Sequence, residues 1–168
     1  MNIRQEQPDE FKKIYELVQT AFQTAKVSDG TEQDFVNKLR AGSGYLPQLA
    51  LVAEENGELI GHIMLTKCPV VNGQETHEIL LLAPLSVRLE YRNRGVGSAL
   101  IAEGARLARE MGYGAIILVG DPSYYSRSGF VSAADFGIHY ANVPDQFVQA
   151  LALKPDGLKG VAGIVDVH

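Results

Sequence analysis

Apolar residues recur at three- and four-residue steps through Phe11, Ile14, Tyr15, Val18, Ala21 and Phe22, the spacing of one helical face that Asp9 is placed to cap. A shorter helical pattern, Phe35, Val36 and Leu39, starts near Asp29 or Thr31 and stops at Gly42-Ser43-Gly44. From Leu49 the period changes to that of strands. The runs Leu49–Ala53 and Leu59–Leu65 flank Glu55-Asn56-Gly57-Glu58, and Asn-Gly takes the positive φ angles of a tight hairpin. A second Asn-Gly, Asn72-Gly73, separates the continuation of that strand through Val70 and Val71 from a run over 78–87, so the three runs predict an antiparallel meander.

Ile79 to Val87 is nearly continuous in apolar residues, the pattern of a strand covered on both faces at the centre of a sheet. Pro84 offers no N–H to a ladder, so the strand is expected to bulge or part from a neighbour there. A helix then opens near Gly95, with Val96, Leu100, Leu107, Ala108 and Met111 inward, Glu103, Arg106 and Arg109 outward, and Gly112 as its stop. Ala115–Val119 reads as another buried strand, and strand, helix and strand in this order predict a right-handed crossover with the two strands parallel. Asp121-Pro122 opens a helix of about two turns ended by Gly129. Strand character returns over 147–153 and 160–167, with turns at Pro144 and Pro155-Asp156-Gly157. Without a repeat or a low-complexity linker, residues 1–168 read as a single α+β domain.

Composition narrows the function classes. The 168 residues, 46% apolar and 21% charged, suffice for a core without disulfide or metal support. Twenty acidic against 15 basic residues give a net charge of −5, and no basic run offers a phosphate-binding face to nucleic acid. The single cysteine, Cys68, excludes a disulfide framework, and with four scattered histidines it gives no zinc spacing, so no metal is expected. Met1 to Pro8 holds no apolar signal core, and no stretch of about 18 apolar residues could span a membrane; a cytoplasmic location without a membrane partner is expected.

Against that acidic background, Arg92-Asn93-Arg94-Gly95-Val96-Gly97-Ser98 stands where the central strand hands over to the long helix. Its glycines let backbone approach a ligand closely, and amides at a helix start carry partial positive charge. With Arg88, Arg92 and Arg94 nearby, the segment reads as an anion site suited to a pyrophosphate; the plainer alternative is a glycine-rich turn with solvated arginines. No Walker string of Gly, four residues and Gly-Lys-Ser/Thr occurs. A dinucleotide fingerprint needs glycine or alanine where Leu100 stands, and follows a parallel unit rather than a meander.

These strings resemble the GNAT superfamily of acetyl-CoA-dependent N-acetyltransferases. Val87, Arg92, Gly95 and Gly97 are similar to its pyrophosphate loop, Arg/Gln-x-x-Gly-x-Gly/Ala after a buried strand, and Tyr125-Ser126-Arg127-Ser128-Gly129-Phe130 resembles its Tyr-x-x-x-Gly-Phe. The order of elements over residues 1 to about 135 fits too, and Gly120-Asp121-Pro122-Ser123-Tyr124-Tyr125 is similar to a small bacterial branch of predicted acetyltransferases. The resemblance implies a GNAT-like acyl-CoA N-acyltransferase fold, α/β (α+β), whose mixed central sheet has about six or seven strands with about four helices. In that fold the central strand and its parallel neighbour splay around the pantetheine arm, here near Pro84 and Leu85-Ser86-Val87.

The resemblance further implies acetyl-CoA as co-substrate, bound by Leu85, Ser86, Val87, Arg92, Asn93, Arg94, Gly95, Val96, Gly97, Ser98 and Tyr125. A backbone N–H near Val87 would meet the oxyanion. Tyr125, protonated at neutral pH, would act as general acid toward the thiolate, and Tyr124 is read as packing. The base stays open: the family's strand glutamate falls at Leu81, which leaves Glu78, ordered water, Glu32, Asp34, His77 and His139. Cys68 is read as inert packing. The acceptor is expected to be a primary amine of a small molecule or peptide, bound by the first two helices and the Gly42–Tyr45 loop, and cationic if the acidic balance extends to the pocket; a homodimer is left open. The alternatives are a non-catalytic acyl-CoA-binding sensor or regulatory domain, kept in view by the missing glutamate, and an interaction domain with a solvated arginine turn.

Overall fold

The computed structural model describes residues 1–25 and 28–167. Strands β2 (Ala50–Glu55), β3 (Glu58–Asn72) and β4 (Glu75–Val87) form the expected antiparallel meander. Its first hairpin turns on Asn56 and Gly57 at φ 53 and 78, the left-handed values that these two residue types adopt at least cost. β1 (Asn2–Gln5), which no periodicity announced, pairs antiparallel with β2 as an edge strand. After β4 come α3 (Val96–Glu110) and β5 (Ala115–Val119), and β5 lies parallel to β4 as the crossover requires. β8 (Val148–Ala152) then pairs antiparallel with β5 and carries the two-residue β6 (Val131–Ser132). Short β7 (Ile138–Tyr140) and β9 (Gly163–Val165) run parallel and join β3 through Val71 and Ile164. The described residues thus form a nine-stranded sheet; β1, β6 and β7, which lie beyond the expectation, are pieces of two to four residues, too short to display a period.

Helices cover both faces. On one, Val96, Leu100, Ile101, Ala105 and Ala108 of α3 pack on Ile63, Leu65, Leu80, Leu82, Ile116 and Leu118. Gly61 permits this approach, because a Cβ there would lie 2.9 Å from Leu100 Cδ1 and 3.0 Å from Val96 Cγ1. On the other face, α1 (Phe11–Phe22) and α2 (Glu32–Ala41) bring Ile14, Val18 and Val36 onto Ala50, Val52 and Met64. Further along that face Ile138, Val148, Ala150 and Val165 cluster with Cys68, Val70, Ile79, Leu81 and Ile117. Among the described residues no helix is long and apolar enough to cross a membrane.

Several local expectations change. Asp9 does not cap α1; a 3₁₀ turn, Pro8–Glu10, precedes the helix, and the Glu10 carboxylate accepts the Gln7 N–H at 2.9 Å. Met111 lies just past the end of α3 and is 40% exposed, so Ile101, Gly104 and Ala105 complete the inward face in its place. Pro84 acts as expected. Ile63 and Leu65 pair with Leu85 and Leu82, so β4 carries one residue more than β3 between them and bulges at Ala83 and Pro84.

Candidate active site

The bulge sits where β4 and β5 part. Their parallel pairing is confined to Leu80 with Ile116 and Leu81 with Ile117, so the edge of β4 from Leu82 to Val87 has no strand partner on the β5 side. The opening widens into a cleft of about 1280 Å³, walled by Leu81–Val87 on one side and by Val119, Gly120 and Asp121 on the other. Most small-molecule sites enclose roughly 300–1,000 Å³, so this one suits a long ligand.

The Arg92–Ser98 loop forms one end. Asn93 and Gly95 take φ 63 and 80, the left-handed angles that turn the chain into α3. Val96, Gly97 and Ser98, in the first turn of a 15-residue helix, have N–H groups without intrahelical acceptors, and all three residues line the cleft. A Cβ built at Gly97 would overlap the Tyr124 hydroxyl, so the glycine keeps open a cradle that any other residue would fill. Arg92 lines the cleft but spends two N–H groups on the end of α1, 2.6 Å from the Ala21 carbonyl and 3.0 Å from Thr24 Oγ1. The other two arginines are placed elsewhere. Arg94 lies over the Tyr91 ring, 5.3 Å from its centroid, and Arg88 pairs with Glu58; neither lines the cleft. A further arginine on its wall is Arg127, stacked 4.7 Å from the Tyr124 centroid, which the run of arginines around the loop did not single out.

Asp121 accepts the Ser123 N–H at 2.9 Å and starts α4 (Pro122–Tyr125), which a 3₁₀ turn extends to Gly129 at φ 91. Both tyrosines of α4 line the cleft. The Tyr125 ring stands edge-on to Tyr124 at 4.9 Å and to Phe130 at 5.9 Å, and packs where a Cβ on Gly120 would come within 2.6 Å of its Cε2. Burial first, with Tyr124 and Asp121 in support, pushes its hydroxyl upward, so it stays protonated at neutral pH. Tyr124 is more than packing: it contacts Gly97 and forms part of the cradle wall.

The other end is set by α1, α2 and the C-terminal segment. Ala21, Phe22, Glu32, Asp34, Phe35 and Lys38 line it, with Tyr140, Asn142, Val143 and Phe147 opposite. Glu32 accepts the Asp29 N–H at 3.1 Å and the Ser28 hydroxyl at 2.8 Å; Asp34 accepts the Tyr15 hydroxyl at 2.8 Å. The Gly42–Tyr45 loop is not part of this wall, because the Gly44 carbonyl is tied to the Lys67 N–H and Tyr45 turns toward Glu6. Glu78 is exposed opposite Pro69, three residues below the first cleft residue of β4, or roughly 10 Å at strand rise, and does not line the cleft. His77 and His139 also lie outside it, His139 paired with Asp145 at 2.8 Å. Cys68 is buried, and burial pushes its thiol to about 12, as inert packing requires.

Comparison with known proteins bears on this arrangement. The family model described as an acetyltransferase (GNAT) domain matches residues 2–133. "Uncharacterized N-acetyltransferase YhbS" of Escherichia coli K12 is 32% identical over 170 residues, covering all of this chain and 96% of the relative. The crystal structure of that GNAT family N-acetyltransferase in complex with CoA superposes with a TM-score of 0.87 at 31% identity, over 99% of this chain and 89% of the other. A GNAT family acetyltransferase from Brucella melitensis in complex with acetyl-CoA superposes with a TM-score of 0.79 at 30% identity, over 99% and 95% of the two chains.

Proposed function

The chain belongs to the GNAT acetyltransferase family, and from that premise we propose that it transfers the acetyl group of acetyl-CoA directly to a primary amine held at the α2 end of the β4–β5 cleft. The observation that carries this reading is the convergence of the unpaired β4 edge, the open first turn of α3 and Tyr125 on one cleft. That the similar E. coli and Brucella proteins were crystallised with CoA and acetyl-CoA supports the choice of ligand.

Acetyl-CoA, when bound, supplies an activated acetyl thioester. The N–H groups of Val96, Gly97 and Ser98 would hold its pyrophosphate, with Gly95 and Asn93 shaping the loop and Arg92 and Arg127 adding positive charge. Leu85, Ser86 and Val87 would offer backbone groups to the pantetheine arm, and an N–H near Val87 would meet oxyanion charge as it develops. Tyr125, kept protonated by burial, would donate to the departing sulfur. The acceptor would enter between α1 and α2, where Glu32 and Asp34 favour a cationic amine.

The test is incubation of the protein with acetyl-CoA and a panel of primary amines. Free CoA thiol and acetylated amine should appear in equal amounts with at least one of them. Binding of acetyl-CoA without turnover would favour an acyl-CoA sensor, and lack of binding would overturn the reading.

A further inference from the structure

Three buried polar atoms among the described residues have no hydrogen-bond partner: His62 Nδ1, Ser86 Oγ and Thr66 Oγ1. Two of them belong to one cross-strand pair, for His62 on β3 stands directly opposite Ser86 on β4. The side chains of such a pair leave the sheet on the same face, with Cβ atoms roughly 4.5–5.5 Å apart. His62 is 0% exposed; Ser86 is 2% exposed and lines the cleft.

The other imidazole nitrogen is committed. His62 Nε2 lies 2.9 Å from Glu6 Oε1. Arg40 donates Nε and Nη2 to the two Glu6 oxygens, each at 3.0 Å, and the Tyr45 hydroxyl donates at 2.7 Å. Burial alone would raise the Glu6 carboxyl, but the bonds from His62, Arg40 and Tyr45 together hold it at about 2. A carboxylate can only accept, so Nε2 carries the hydrogen. Burial keeps the His62 ring below its usual range, with the Arg40 charge acting in the same sense, and the ring is neutral. A neutral imidazole protonated at Nε2 has a bare lone pair at Nδ1. That lone pair shares a face with a serine hydroxyl that lacks an acceptor, at the floor of the cleft, and a rotation of the serine side chain is the change that joins them.

We propose that Ser86, His62 and Glu6 form a proton relay into the cleft, in which the Ser86 hydroxyl takes the proton that the acceptor amine loses. The proposal rests on the acetyltransferase reading and fills the place that Leu81 leaves without a base. The acceptor nitrogen, attacking as the free amine after its extra proton has gone to solvent, bonds to the acetyl carbonyl carbon as the carbon–sulfur bond breaks. The nitrogen's proton passes to Ser86 Oγ, and the Ser86 proton passes to His62 Nδ1, leaving an imidazolium against the Glu6 carboxylate. Sulfur takes the Tyr125 proton, and return of a proton from His62 to the phenolate through the cleft restores both residues. One amine proton ends on sulfur, and no other reactant is consumed. Ser86 is the residue that touches substrate; His62 and Glu6 act through it. The groups facing the ring are Glu6 after β1, Arg40 on α2, Tyr45 after α2 and Ser86 on β4, so the relay is assembled only when the fold is complete.

Nitrogen NMR of ¹⁵N-histidine in the full chain tests the relay, with His62 identified by the signals lost in His62→Asn. The expected result is a protonated Nε2 and a bare Nδ1, with the Nδ1 resonance moved by Ser86→Ala and Nε2 little changed. With acetyl-CoA and the amine panel, Ser86→Ala should lower kcat about 10²–10⁴-fold at unchanged KM for acetyl-CoA. Ser86→Thr, which keeps a hydroxyl on Cβ, should recover most of the loss. A hydrogen on Nδ1, an Nδ1 signal indifferent to Ser86→Ala, or wild-type turnover in that variant would overturn the relay. A merely structural serine would lower the melting temperature and leave kcat in place. Failure of the acetyltransferase reading would appear in the wild-type protein, as no acetyl-CoA bound or no amine acetylated, and the imidazole spectra would still decide whether Ser86 and His62 are linked.

Discussion

A Cβ at Gly97 would overlap the Tyr124 hydroxyl, whereas the next atom of that side chain, Cζ, would lie 3.4 Å away. Gly97→Ala is therefore expected to weaken acetyl-CoA binding by driving Tyr124 off the loop. Adding Tyr124→Phe should restore much of the affinity, because only the overlapping oxygen is removed; calorimetric titration of the single and double variants measures both. Tyr125→Phe should behave differently, lowering kcat by about 10²–10⁴-fold with acetyl-CoA affinity nearly intact, since in the proposed role of general acid its hydroxyl would matter only as charge develops on sulfur. A larger kcat loss in Tyr124→Phe would move the acid role to the neighbouring residue. Gly97 and Tyr125 were legible in the sequence because each belongs to a short string whose chemistry is local. Glu6, Arg40, Tyr45 and His62 were not: they come from four separate segments, and nothing in their spacing says that they meet.

The same division holds for the elements. The β2–β3–β4 meander, the α3 crossover and the Pro84 bulge could be read in advance, because alternation, Asn-Gly turns and a missing N–H act over a few residues. The parting of β4 from β5 came from the family resemblance, and the strand character of β9 was legible over 160–167, but the short strands β1, β6 and β7 came from neither, their pairing being decided by partners distant in the chain. The pairing of Arg92 with the end of α1 and the presence of Arg127 in the cleft are likewise products of docking. Gly61 gives a test at this scale. Its Cβ position is only 2.9 Å from Leu100 and 3.0 Å from Val96, so Gly61→Val should lift the N-terminal turn of α3 from the sheet. Overpacking of this kind costs about 1–3 kcal/mol. Chemical denaturation should report that loss together with weaker acetyl-CoA binding, because Val96 begins the turn that lines the cleft.

For the molecule as a whole, net charge and composition located no site, and the buried Glu6–His62 pair makes stability depend on acid. Glu6 sits at about 2 in the folded chain against an ordinary 4.5, and His62 lies below its ordinary 6.5, so for both the unfolded chain binds the proton more readily. Their contribution is complete above the unfolded values and is lost as pH falls. The melting temperature should be level near neutrality, begin to decline below about pH 6.5 through His62, and fall further between about 4.5 and 2 through Glu6. A melting temperature constant from pH 7 to pH 5 would contradict the neutral, buried state of His62.

Amide hydrogen exchange on the wild-type chain with and without acetyl-CoA decides whether acetyl-CoA lies in the parting of β4 and β5. Protection is expected at Leu85–Val87, Gly95–Ser98 and the 120–125 turn, with the Asn56–Gly57 hairpin and the Glu78 stretch of β4 unchanged. Protection confined to other segments, or none at an acetyl-CoA concentration that saturates turnover, would contradict the account.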